Sequence, residues 1–144
     1  MRSTRMLPVA RHADQKQQEA VQVYAQAQRA LEDAQLQLQQ LMAYREEYAQ
    51  KMSCQRGLPM EQLRNFQAFV QQLGRAIKQA ELDIESHKQA CEHRKQQWLK
   101  TRARSQALHR VVEKYQIEER VAEDRREQKE MDEHAQRLSR NPRD

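Results

Sequence analysis

From Ala20 onward the apolar residues recur at alternating steps of four and three: Ala20, Tyr24, Ala27, Leu31, Ala34, Leu38 and Leu41, continuing through Arg45, Tyr48 and Met52. A repeat averaging about 3.5 residues holds one stripe of a helix toward a partner, the pattern of a coiled coil. It breaks at "SCQRGLPME". Gly57 can adopt the left-handed conformation that follows a helix end, and Pro59 has the fixed φ that suits the first turn of a new helix. The stripe resumes at Phe66 and runs through Val70, Leu73, Ile77, Ala80, Ile84, His87, Cys91, Arg94, Trp98, Thr101, Ser105, Leu108, Val112 and Tyr115, diluted by polar residues between His87 and Ser105. No proline interrupts this second segment before Pro142. The pattern predicts one coiled-coil domain over residues 1–144: a helix over about 8–53, a turn at 54–59 and a second helix over about 60–138.

A turn near Gly57 makes the register testable, because facing residues in an antiparallel pair then have numbers that sum to about 114. On that rule Leu41 meets Leu73, Leu38 meets Ile77, Ala34 meets Ala80, Leu31 meets Ile84, Ala27 meets His87 and Tyr24 meets Cys91. The two stripes interlock although the turn alone set the register, so the expected fold class is all-α, a long two-helix antiparallel coiled-coil hairpin. The second helix is the longer, and its last 30 or so residues are expected to have nothing to pair with inside the chain.

Composition agrees. Of 144 residues, 33% are charged and 38% hydrophobic, which leaves little material for a globular core. The two glycines stand apart, so no Gly-rich loop can cradle a nucleotide. The N-terminus is basic but lacks an apolar leader segment, and no stretch approaches the roughly 20 apolar residues of a membrane span. A cytoplasmic chain is expected. Cys54 and Cys91 fall at the turn and within a helix, so free thiols are expected. His87 and Cys91 are one helical turn apart, but His93 points elsewhere and no fourth ligand is evident, so neither a metal nor another cofactor is expected.

Beside the seam, Gln37 and Tyr44 flank the first helix where Phe69, Ala76 and Lys78 lie at or near the same flank of the second. Tyr44 and Phe69, backed by Leu41, Tyr48 and Leu73, then form an aromatic patch that two helices cannot fully cover. In this reading Phe66 serves the seam, whereas Phe69 lies outside it as a contact residue. Gly74 within a helix costs about 1 kcal/mol against alanine, and a bare backbone beside Phe69 would let a partner approach closely. Charge is uneven: Lys and Arg outnumber Asp and Glu nine to five over residues 57–108, against nine to ten from 109 onward. Lys88, Arg94, Lys95, Lys100, Arg102 and Arg104 are expected opposite Arg11 and Lys16 as a basic collar suited to an acidic partner. The stretch "EERVAEDRREQKEMDEHAQR" carries opposite charges at i,i+4, such as Arg126 with Glu130 and Lys129 with Glu133, which support an exposed helix.

"LQQLMAYREEY", "NFQAFVQQLGRAI" after a Gly-containing turn, Trp98, and "EDRREQKEMDEHAQR" near the end together resemble the flagellar FliJ proteins over essentially the whole chain. Tyr44 and Tyr48 match that family's Tyr pair before the turn. Phe66, Gln67 and Phe69 match its aromatic-Gln-x-Phe segment, and Gln128, Lys129, Met131, Asp132 and Glu133 its late Gln-Lys-x-Met-Asp-Glu run. Phe66 stands where many relatives have Tyr, and Gly74 departs from the pattern. The resemblance implies a fold similar to the central stalk of rotary ATPases and a role in flagellar type III protein export. It implies as partners the hexameric export ATPase, the cytoplasmic domain of the membrane export gate and export chaperones that the protein recycles, at the cytoplasmic side of the membrane. It places the gate contact on Gln37, Leu41, Tyr44, Tyr48, Phe69, Leu73 and Ala76. The ATPase contact falls toward the termini, on Arg94, Lys95, Arg102, Arg104, Arg125, Gln128, Lys129, Met131 and Asp132.

Two other classes fit less well. A sequence pI near 9.4 suggests nucleic-acid binding, but the basic residues are interleaved with Glu and the aromatics lie away from the collar, so stacking and phosphate contact do not coincide. An enzyme needs a pocket that excludes water, which a two-helix rod lacks.

Overall fold

The computed structural model describes residues 1–140; Pro142 lies outside them. Two helices make up the fold: α1, Arg2–Ser53, and α2, Met60–Arg140. They pack against each other as an all-α hairpin. Gly57 takes φ +75°, the left-handed conformation expected of it. Cys54 N–H donates to the Gln50 carbonyl and Gln55 N–H to that of Met52, closing α1, while Leu63 N–H donates to the Pro59 carbonyl, opening α2.

By their contacts the residues divide into two compact units: Glu19–Trp98, and Met1–Gln18 with the chain from Leu99 onward. In the first unit the shielded positions follow the predicted stripe. On α2, Leu73, Ile77, Ala80 and Ile84 are buried; on α1, Leu31, Ala34, Leu38, Leu41, Tyr48 and Met52 are half-buried. Each buried Leu or Ile contributes about 1.5–3 kcal/mol. Arg45 and Arg94 occupy seam positions by spacing yet remain exposed, since a guanidinium keeps its water unless paired. The Tyr24 ring packs edge-on against Trp98, with centroids 5.8 Å apart, where the register rule pointed to Cys91. Side chains on a helix lean toward their own N-terminus, and in an antiparallel pair that lean brings residues of higher summed number together.

In the second unit the seam is built from small residues. Ser3, Ala10 and Ala13 of α1 are buried, as are Ser105 and Val112 of α2. Here α1 begins at Arg2 instead of near residue 8, and a carboxylate of α2 supplies the reason. Glu119 Oε1 accepts from Ser3 N–H at 3.0 Å and Glu119 Oε2 accepts from Ser3 Oγ at 2.6 Å. A helix start has unsatisfied N–H groups and a positive dipole end, and Glu119 meets both needs. Pro8, inside α1, forfeits one backbone hydrogen bond. The earlier start also lengthens the paired section: α2 is shielded as far as Glu119, and residues 121–140 are exposed throughout. The unaccompanied part is thus nearer 20 residues than 30.

Candidate functional site

Four rings gather near the turn. Tyr48 lies at the centre: its ring is 4.5 Å from Phe69, 5.3 Å from Phe66 and 6.4 Å from Tyr44. Tyr44 also meets Phe69 edge-on at 5.8 Å. The one-turn spacing of Tyr44 and Tyr48 on α1 faces the three-residue spacing of Phe66 and Phe69 on α2, so both helices contribute two rings to one cluster. Tyr44 is the ring most open to solvent, at 50% exposure. Gln37 and Ala76 are exposed, Leu41 is half-buried, and Leu73 is buried at 7% exposure.

The expected division between Phe66 in the seam and Phe69 outside it does not hold. Both are half-buried and both touch Tyr48. A three-residue step turns a side chain only about 60° from its predecessor, too little to take a large ring off the interface. Gly74 is exposed, and a Cβ placed on it would meet nothing within 4 Å. Open space stands there. The cluster offers rings and two phenols and no nucleophile beside a base, so its chemistry is contact.

The basic residues divide between the units. In Glu19–Trp98, Lys88, Arg94 and Lys95 are exposed, with Arg94 Nη1 donating to Gln97 Oε1 at 3.0 Å. In the other unit Arg11, Lys100 and Arg102 are exposed, and Lys16 and Arg104 line an open groove of about 320 Å³ with Val9, His12, Ala13 and Thr101. Arg125, Gln128, Lys129, Met131 and Asp132 are all exposed on the last part of α2. Arg126 Nη2 lies 3.5 Å from Glu123 Oε1, one turn back, where the charge pattern pointed to Glu130.

Sequence spacing missed a set of polar pins. Ser105 Oγ donates to Asp14 Oδ1, and His109 Nε2 lies 2.8 and 2.9 Å from the two Asp14 carboxylate oxygens. The Ser105 hydrogen bond, then that of His109, hold the Asp14 carboxyl below its ordinary range; the bonds from Ser3 do the same for Glu119. The available signal was Ser105 itself, a hydroxyl on the seam stripe that needs a partner when buried. Both cysteines are free, and among the described residues no group of three His, Cys, Asp or Glu side chains could hold a metal. No helix there is long and apolar enough to cross a membrane.

The model of the flagellar FliJ protein family matches residues 1–144. The chain is 29% identical to the flagellar FliJ protein of Salmonella typhi and 28% identical to that of Escherichia coli (strain K12). Each match spans 129 residues and covers 88% of both chains. The chain therefore belongs to the flagellar FliJ protein family.

Proposed function

We propose that this chain is a non-catalytic component of the flagellar protein export apparatus, a stalk-like coiled coil linking the hexameric export ATPase to the cytoplasmic domain of the membrane export gate. In the same role it recycles export chaperones, working at the cytoplasmic face of the membrane. Family membership supports the export assignment. The half-exposed Tyr44 carries the gate contact: a ring left 50% open beside those of Tyr48 and Phe69 is an aromatic anchor awaiting an apolar partner. Gln37, Leu41 and Ala76 border it, while Leu73 supports it from beneath. The exposed basic and C-terminal residues supply the charged ATPase contact.

The test is a titration of the gate's cytoplasmic domain with the parent chain and with Tyr44→Ala. Binding should weaken about tenfold or more while the melt stays close to the parent's. Parent-like binding by Tyr44→Ala overturns the gate assignment.

A further inference from the structure

On the exposed end of α2 a second heptad stripe begins, distinct from the seam that ends at Glu119. Val121, Asp124, Gln128, Met131, Ala135 and Leu138 step by alternating threes and fours. Val121, Met131 and Leu138 are 43%, 72% and 64% exposed. Nothing among the described residues covers this face, since residues 121–140 are exposed throughout. Its flanks alternate in sign, with Glu118, Arg125 and Asp132 on one side and Arg120 and Glu127 on the other, where His134 follows.

Those flanks discriminate between occupants. In a parallel pair of identical helices, Arg120 would face Arg125 of the second copy and Glu127 would face Asp132, setting like charges together at both of these steps. In an antiparallel pair, Val121 stacks on Leu138 and Gln128 on Met131. Like flanks then meet, so Arg125 faces Asp132 of the second copy and Glu127 faces His134, each twice by symmetry. We propose that residues 121–138 form an antiparallel dimerisation face for a second copy of this chain. The alternating signs select the antiparallel arrangement and reject the parallel one. Each copy's own α1–α2 pairing reaches only to Glu119, so it does not compete for the face. With Asp124 and Gln128 in the stripe and about five turns of helix engaged, the association is weak and concentration-dependent. The face shares Arg125, Gln128, Met131 and Asp132 with the proposed ATPase contact, so the two states would exclude each other. Self-association itself does not rest on that assignment.

Sedimentation equilibrium of the full chain tests it up to about 1 mM, where even millimolar affinity is visible. A monomer–dimer equilibrium is expected. Arg125→Glu places like charges at two symmetric positions and should raise the dimer Kd about tenfold. Arg125→Glu with Asp132→Arg exchanges the signs and should restore it, with circular dichroism unchanged across the set. A chain that stays monomeric throughout, or a dimer indifferent to Arg125→Glu, or one that the exchange fails to restore, overturns the proposal.

Discussion

Tyr48 binds three other rings into one unit, which changes what its neighbours do when truncated. Phe66→Ala and Phe69→Ala each remove a half-buried ring with an aromatic partner, so each should destabilise by about 2 kcal/mol, part of the cost of a fully buried Phe. A thermal melt of both variants checks this, and the two should fall together. Tyr44→Ala, by contrast, should leave the melt near the parent's, because that ring is 50% exposed. Gly74 offers a second probe at this scale. A methyl group there meets nothing, so Gly74→Ala should stabilise by about 0.5–1 kcal/mol through helix propensity. If a partner backbone needs the bare surface at Gly74, the same variant should bind the gate more weakly while melting later. The rings were legible in the sequence as a group, because Tyr44, Tyr48 and both Phe lie within a few turns of Gly57. Their sorting into core and contact was not, because periodicity gives a direction and takes no account of the reach of a large ring.

At the level of the helices, the seam from Ala20 to Met52 and from Phe66 to Tyr115 was readable because burial of one stripe is the physical cause of the period. The start of α1 was not, because it rests on Glu119, a residue 116 positions from Ser3 that no local pattern connects to it. The pins carry a pH dependence whose sign follows from their direction. Asp14 and Glu119 are held below ordinary values of 3.8 and 4.5. Their contribution is therefore complete above those values and is lost as pH falls through the lowered ones. Protection from amide exchange, taken against the intrinsic rate at each pH, should fall across residues 2–18 in acid, whereas residues 73–84, whose seam is apolar, should keep theirs. Asp14→Asn with Glu119→Gln should show the acid behaviour already at neutral pH.

For the whole chain, the two ends of α2 differ in what they lose on cleavage. Stopping the chain after Arg120 keeps every shielded residue among those described and both sets of pins, so the hairpin should remain helical and melt near the parent temperature. The same truncation should abolish binding to the export ATPase if the terminal helix is its contact; a pull-down with the purified ATPase decides this. Function was legible only through the family resemblance. Composition and spacing led to a binding rod with an aromatic patch and a charged end, and physics alone names neither partner. Trp98 is the sole tryptophan in the chain, and it lies edge-on to Tyr24. That pairing gives the molecule an optical gauge of its own. Light absorbed by Tyr24 should be passed to Trp98 while α1 and α2 are in contact there. Emission excited at the tyrosine band therefore follows their separation without any label, and a partner that prises the helices apart would be seen as a red shift and a loss of transfer.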